Sequence, residues 1–226
     1  MTQTLAIAAG IGLLGALWGL WRERKARSEP VGNVFDRCYR FYDSFIRRSG
    51  FDCTAEIRRA LLGIHAQGSL LDVGGGTGYL AAQFADLFSR IVVVDSSAGM
   101  LSVATQRHVE TCQASALALP FEPEQFDVVL CADALHHIKQ ADRALAEMYR
   151  VLKPGGAIVI LEFHIRGLAG WLLFAFERLL LDRSEFLAPD RLQALLDRQG
   201  MTGDTHRVSR IQYIYVGQKP AGSATT

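Results

Sequence analysis

The chain has 226 residues, half of them hydrophobic, and a formal net charge of +1. This size and composition suit one domain with a complete core and exclude a disordered chain. The balanced charge, with basic residues clustered only near the N-terminus, argues against a nucleic-acid partner.

The first predicted element is a membrane span. Residues Leu5 to Trp21 carry no charge, and counted back to Thr2 the run has about 20 residues, enough to cross roughly 30 Å of hydrocarbon as a helix. RERKAR, with four basic residues, follows it, so the positive-inside rule places the C-terminal side in the cytoplasm. We expect residues 1–21 to form a single-pass anchor in the cytoplasmic membrane and residues 22–32 a basic linker. A helix lying on the bilayer surface or on the domain is the alternative.

Alternating helices and strands are predicted behind the linker. Two amphipathic helices run from Asn33 to about Arg48 and from Thr54 to about Ala66. Short apolar runs predict buried strands at 69–73, 91–95, 126–132 and 156–163. Helical segments between them are Gly78 to Phe88, Ala98 to Arg107 and Gln140 to Leu152. This order predicts an α/β fold with a parallel sheet covered on both faces, and RVSRIQYIYVGQKP predicts a terminal edge strand.

The loop after the first strand, in LLDVGGGTGYL, has four glycines at 74–78. Ligands bind at the carboxyl ends of strands in such sheets, and glycine leaves no Cβ between backbone and ligand. GTGYLA fits a loose dinucleotide pattern, but Asp72 before the glycines would repel a pyrophosphate and attract an ammonium group. Asp95 closes the next strand, where a carboxylate can accept both ribose hydroxyls. Asp72 favours S-adenosylmethionine, whereas Asp95 supports a nucleoside of either kind; a nicotinamide dinucleotide and a purely structural turn are the alternatives.

Four motifs occur in the order of a known family. They are LLDVGGGTGYL, VVVDSSAGML, LALPFEPEQFDVVLCADALHHI and MYRVLKPGGAIVILEF, and together they resemble the class I S-adenosylmethionine-dependent methyltransferases. FDRCYRFYD and the closing YIYVGQKP look most like the ubiquinone/menaquinone C-methyltransferase group. The resemblance implies a Rossmann-like seven-stranded methyltransferase sheet over residues 33–220, mostly parallel with an antiparallel edge strand, and a flexible tail at 221–226.

The same resemblance implies S-adenosylmethionine as the cofactor. Its methionine end would lie on Asp72 and the glycine loop, its ribose on Asp95, and its adenine on Met100. Ser115 stands where many relatives have an Asp or Asn that binds the adenine amino group, with the Ala116 N–H as a further contact. The predicted cofactor-binding residues are Tyr42, Asp72, Gly74, Gly75, Gly76, Gly78, Asp95, Ser96, Met100, Ser115 and Ala116.

Candidates for a general base lie after the fourth strand. Methyl transfer mainly needs a positioned acceptor, and a base is needed only where the acceptor must lose a proton. His136 and His137, in ALHH, are the first candidates because imidazole titrates near neutral pH. Asp133 is the next, and His164 is placed to face the site. The alternative for the two adjacent histidines is capping and packing at a helix start.

The segment from Leu168 to Leu181 is apolar apart from Glu177 and Arg178. It fits a helix in the bilayer interface, a buried lid helix or a homodimer face. With the predicted anchor it favours a lipid-soluble acceptor at the membrane: a prenylated quinone precursor first, an amino-headgroup phospholipid second. An anchored S-adenosylmethionine-binding protein without turnover and a nicotinamide-dependent oxidoreductase are the alternatives from other classes. The scattered cysteines indicate neither a zinc site nor a disulfide framework.

Overall fold

The computed structural model describes Tyr39 and residues 42–44, 46–47, 52–164 and 185–222. The predicted anchor, the basic linker, the Asn33 helix start and the segment from Leu168 to Leu181 lie outside these residues. Across the part of the chain that is described, no helix is both long and apolar enough to span a bilayer.

Seven strands and five α-helices are described between residues 52 and 222. The helices are α1 Thr54–Gly63, α2 Tyr79–Ala82, α3 Ala98–Ala104, α4 Ala141–Val151 and α5 Pro189–Arg198. The strands are β1 Ser69–Val73, β2 Arg90–Asp95, β3 Glu110–Gln113, β4 Phe126–Ala132, β5 Leu152–Phe163, β6 Thr202–Arg207 and β7 Gln212–Gln218. Short 3₁₀ turns follow α3 and β4, at Thr105–Arg107 and Leu135–His137.

All seven strands form one sheet in the order β3-β2-β1-β4-β5-β7-β6. The strands from β1 to β5 pair in parallel, whereas β7 runs antiparallel to both β5 and β6. The predicted α/β class and seven-stranded, mostly parallel sheet are therefore confirmed. The strand predicted at the edge from RVSRIQYIYVGQKP is β7, which lies inside the sheet because β6 pairs on its outer side. The strand order reverses between β1 and β4, so the carboxyl ends of these strands form the usual binding edge of a doubly wound sheet.

Several elements differ from the sequence prediction. The sequence does not predict the short polar strands β3 and β6 or the helix α5. The two strands lie at the edges of the sheet and contain no apolar run. The helix expected from Gly78 to Phe88 ends at Ala82, where i→i−3 turns replace it. The strand β5 begins at Leu152 rather than near Gly156, and its register with β4 shifts between Phe126 and Val128.

Two hydrophobic layers enclose the sheet, and successive β1 side chains alternate between them. Leu71 and Val73 pack with α4 and α5 on one face, while Leu70 packs with α1 and α3 on the other. The alternation puts Asp72 on the same face as Leu70, in an otherwise apolar layer. Burying an unpaired charged group at such a position lowers the free energy of unfolding. This cost indicates that Asp72 is kept for function.

Candidate active site

The glycine loop turns sharply at the end of β1. The Gly74 N–H donates to the Val94 carbonyl at 2.7 Å, and the Gly78 N–H donates to the Gly75 carbonyl at 2.9 Å. Gly76 and Gly78 have φ values of +54° and +68°, a left-handed conformation that side chains disfavour. The loop thus presents bare backbone at the carboxyl edge of the sheet.

Asp72 lies against this loop, and its side chain needs the glycine at position 75. A Cβ placed on Gly75 would lie 2.4 Å from Asp72 Oδ2. The residue is 1% exposed, and Oδ2 has no hydrogen-bond partner among the described residues. Burial, reinforced by the charge of Asp95, raises the pKa of Asp72 to about 7. The carboxyl group is thus poised to ionise when a cation binds.

Asp95 joins the end of β2 to both the loop and α3. Its Oδ2 accepts the Gly76 N–H at 3.0 Å, and its Oδ1 accepts the Ser97 N–H at 2.8 Å. Ser97 in turn caps α3, because its Oγ accepts the Met100 N–H at 3.1 Å. Met100 is buried, and its Sδ lies 3.8 Å from the Cβ position of Gly76. These contacts place the predicted ribose and adenine residues next to the glycine loop.

A cleft opens over the loop, and five of the predicted cofactor residues and one of the base candidates line it. Asp72, Gly74, Gly75, Gly76, Tyr42 and Asp133 line it, together with Ile46, Asp52, Cys53, Thr77, Tyr79, Leu80, Ala132 and Leu161. On one wall the Tyr79 hydroxyl donates to Asp52 Oδ2 at 2.9 Å. On another, burial and the charge of Asp133 raise the pKa of Cys53 to about 12, so this thiol is not a nucleophile at neutral pH.

Six predicted cofactor residues are not part of the cleft wall as the described residues define it: Gly78, Asp95, Ser96, Met100, Ser115 and Ala116. Ser96 and Ser115 are exposed, and Ala116 is half-buried. Ser115 Oγ accepts the Leu117 N–H at 3.2 Å, a local turn contact that keeps the hydroxyl near the backbone. For Ser96, Ser115 and Ala116, contact with adenine stays a prediction.

The loop after β4 brings Asp133 into the cleft. Its N–H donates to the Leu161 carbonyl at 2.9 Å, and its φ of +50° is unusual for a residue with a side chain. Ala134 packs where a Cβ on Gly74 would lie, only 2.5 Å from its own Cβ. The two loops therefore interlock, and Asp133 is the acid–base candidate that lines the cleft.

His136 is held by Glu162, the single charged residue in the core of β5. The His136 Nδ1 lies 2.7 Å from Glu162 Oε2, and both side chains are 1% exposed. Glu162 Oε1 accepts the backbone N–H groups of Leu135 and His136, at 2.7 and 3.2 Å. The imidazole also stacks on Phe186, with centroids 4.8 Å apart. This carboxylate therefore fixes the loop that carries Asp133.

Neither His137 nor His164 lines the cleft among the described residues. Burial, with a further contribution from His136, lowers the pKa of His137 to about 2. A group with that pKa is a weak proton acceptor at neutral pH. The ring of His164 packs edge-on against Tyr213, with centroids 6.2 Å apart. The base roles predicted for the histidines stay predictions, with this geometry favouring Asp133.

Glu162→Gln is expected to lower the free energy of unfolding by about 2 kcal/mol, because an amide cannot satisfy two backbone N–H groups and an imidazole with the same two oxygens. Chemical denaturation at neutral pH measures the change. Lys153→Gln is the control: Lys153 and Asp127 form an ion pair with side chains 41% and 36% exposed, so its loss should cost under about 1 kcal/mol. Equal effects of the two substitutions would contradict the role given to Glu162.

Two functional contacts escaped the sequence reasoning. Glu162 is a lone carboxylate in an apolar strand, a pattern that indicates a buried partner. Thr77 stands between the glycines, where no sequence pattern marks it, yet it is 1% exposed and lines the cleft. Its partner is Asp43, whose Oδ1 accepts the Thr77 hydroxyl at 2.6 Å.

The residues present fit a ligand with a cationic end and a ribose. Asp72 offers an unpartnered carboxylate oxygen at the bottom of the cleft, and the bare loop leaves room for close approach. An ammonium group there would supply the missing hydrogen-bond donor. Asp95 stands at the carboxyl end of β2, where ribose hydroxyls bind in related folds.

The chain is similar to known methyltransferases in sequence. Residues 71–160 match the family model described as a methyltransferase domain. The ubiquinone/menaquinone biosynthesis C-methyltransferase of Hahella chejuensis is 40% identical over 45% of this chain and 45% of its own length. The enzyme of the same name from Escherichia coli is 32% identical over 62% of this chain and 61% of its own length. The alignments thus span about half to three fifths of these relatives.

Solved structures share the fold. A S-adenosylmethionine-dependent methyltransferase from Thermotoga maritima superposes with a TM-score of 0.70 at 21% identity, covering 82% of this chain and 98% of that one. Phosphoethanolamine N-methyltransferase 2 of Haemonchus contortus, solved with S-adenosylmethionine, gives a TM-score of 0.60 at 19% identity, covering 73% of this chain and 52% of that one. At these identities the likeness concerns the fold alone.

Proposed function

We propose a membrane-lipid substrate for this chain, which belongs to the class I S-adenosylmethionine-dependent methyltransferases and lies near their ubiquinone/menaquinone group. The acceptor is a prenylated quinone precursor, and the reaction takes place at the cytoplasmic face of the membrane. The cofactor assignment depends most on the unpartnered, buried Oδ2 of Asp72 beside the glycine loop. The acceptor assignment draws on the similarity to two ubiquinone/menaquinone biosynthesis C-methyltransferases.

The protein's task is to bind, orient and exclude water. S-adenosylmethionine, when bound, supplies an electrophilic methyl group. Asp72 holds its ammonium group, Asp95 holds the ribose, and Tyr42, which lines the cleft, covers the bound ligand. Asp133 is the proposed proton acceptor for an acceptor that must lose a proton, since its carboxylate shares the cleft wall with Asp72. Glu162 and His136 keep the Asp133 loop in place.

The location at the membrane is a proposal supported by sequence. Residues 1–21 have the length and charge pattern of an anchor with its C-terminal side in the cytoplasm. A site next to the bilayer would receive a lipid-soluble acceptor directly. Fractionation of cells with a tagged chain tests this: the protein should stay with membranes after a high-salt wash, and recovery in the soluble fraction would contradict it.

The affinity for S-adenosylmethionine should depend on pH through Asp72. With a pKa raised to about 7, the free carboxyl is protonated at lower pH and must lose its proton to bind an ammonium group. Affinity should fall about tenfold per pH unit below pH 7, and fall again above about pH 8 as the ligand's amino group deprotonates. Calorimetric titration from pH 5.5 to 8.5 measures this profile. A flat profile would contradict the assigned contact.

Mass spectrometry of lipid extracts from cells with and without the chain tests the acceptor. A quinone precursor should gain about 14 Da, the mass of one added CH₂. The same gain on an amino-headgroup phospholipid would replace the quinone proposal with N-methylation. Release of S-adenosylhomocysteine distinguishes both from a binding protein without turnover, which would bind the cofactor and release none.

A further inference from the structure

Three chain segments meet in one polar contact outside the cleft. We use the name cap segment for the described helical residues Tyr39, 42–44 and 46–47. From it, Asp43 pairs with the guanidinium of Arg107, which follows α3. Arg107 also donates to the carbonyl of Thr77 in the glycine loop. Asp43 Oδ1 accepts the hydroxyl of the same threonine at 2.6 Å.

The cap segment contributes to the cleft wall. Tyr42 and Ile46 line the cleft together with Asp72 and the glycines, whereas Asp43 and Arg47 face a separate depression shared with Arg107. Asp43 therefore attaches the segment that carries Tyr42 to the loop, through the hydroxyl of Thr77.

The other two members of the contact are firmly placed. Gly78 packs on α3 so closely that an added Cβ would lie 3.2 Å from the Cβ of Ala104. Arg107 lies 6.0 Å above the ring of Tyr79, a residue of the cleft wall. Arg107 and Thr77 thus belong to the part of the protein built on the sheet and α3. Asp43 contributes the cap segment's side of the contact.

We propose that Asp43 and Arg107 are positioning residues that hold the cap segment over the bound cofactor and limit how fast the used cofactor leaves. Tyr42 and the glycine loop line the same cleft, so a cofactor bound there would contact both, and its exchange would require them to separate. Separation breaks the bonds of Asp43 to both Thr77 and Arg107. This inference rests on the S-adenosylmethionine site proposed above, but it does not depend on the identity of the methyl acceptor.

This contact differs from the ordinary surface ion pairs of the chain. The side chains of Arg107 and Asp43 are 25% and 18% exposed, and Thr77 is buried. In the pair between Arg90 and Glu110, on the neighbouring strands β2 and β3, the exposed fractions are 39% and 57%. An exposed pair contributes little because water competes for both charges, whereas charge-assisted bonds in a partly buried network are stronger. The Arg90–Glu110 pair is therefore a matched control.

The test is the dissociation rate of S-adenosylhomocysteine, measured by stopped-flow displacement with excess S-adenosylmethionine. Asp43→Asn and Arg107→Gln should each speed dissociation roughly tenfold. The double variant should add little to either single change, since both remove the same contact. Glu110→Gln should leave the rate unchanged. Arg107→Lys, which keeps the charge but not the planar fork, should fall between wild type and Arg107→Gln.

A purely structural role for the pair would lower the melting temperature and leave the dissociation rate as in wild type, and this result would overturn the proposal. Independent, additive effects of the two substitutions would overturn it as well. If dissociation is faster while the wild-type protein transfers no methyl group to lipid, the positioning role stands and the acceptor proposal fails. If the wild-type protein binds no S-adenosylhomocysteine, both fail.

Discussion

Asp72→Asn is expected to weaken S-adenosylmethionine binding by roughly two to three orders of magnitude. The carboxylate is 1% exposed, so its charge acts on the ligand's ammonium group with little screening by water. Asparagine keeps the shape of the side chain but presents a neutral amide, which cannot offer the charge-assisted bond. Isothermal titration at pH 7.5 measures the loss, and the fall in affinity below pH 7 should disappear with it.

The same substitution should not weaken the fold. Because the folded state raises the pKa of Asp72 to about 7, the stability linked to its proton is present at acidic pH and lost as pH rises through 7. In the ligand-free protein at pH 8, Asp72→Asn should therefore be at least as stable as wild type by thermal unfolding.

Asp142→Asn, at an exposed position in α4, removes an equal charge and should leave ligand affinity unchanged. Wild-type affinity in Asp72→Asn would contradict the account of the site.

Gly75→Ala is expected to lower the affinity for the cofactor roughly a hundredfold and the free energy of unfolding by about 1–3 kcal/mol. The new Cβ would lie 2.4 Å from Asp72 Oδ2 and 3.0 Å from Val93 Cγ1. The carboxyl group would have to rotate out of its position, and the buried strand leaves it little space. Calorimetric titration and chemical denaturation give the two quantities separately.

Gly63→Ala is the matched control for this change. Gly63 ends α1, and nothing lies within 4 Å of its Cβ position. The added methyl group should leave affinity unchanged and stabilise the fold by about 0.5–1 kcal/mol, because alanine favours the helix. If Gly75→Ala bound the cofactor as tightly as wild type, close packing on the loop would not be what positions the Asp72 carboxyl group.

Local patterns allowed much of the fold to be predicted. The bounds of β1 and β4 follow from short, mainly apolar runs, which central strands need because both faces are buried. The turn with Asp72 is also a local signal, since a carboxylate followed by glycines is visible along six or seven residues. The edge strands β3 and β6 carry no such run, and their pairing with β2 and β7 gives them their structure.

The contacts that escaped prediction join residues far apart in the chain. Glu162 meets His136 across 26 positions, and Asp43 meets Thr77 across 34. No periodicity or spacing encodes such pairs. His136 is an example. Its position after the fourth strand predicts a general base, whereas in the structure its ring contacts the buried carboxyl group of Glu162 and the ring of Phe186. Asp133, ranked after the histidines, is the residue that lines the cleft.

The most direct test of the account is methyl transfer by the purified, detergent-solubilised chain, supplied with methyl-labelled S-adenosylmethionine and a membrane-lipid extract. The account predicts label in the prenylated quinone fraction, one S-adenosylhomocysteine released for each methyl group transferred, and neither product with Asp72→Asn. Absence of label from every lipid fraction, from a wild-type protein that binds the cofactor, would contradict it.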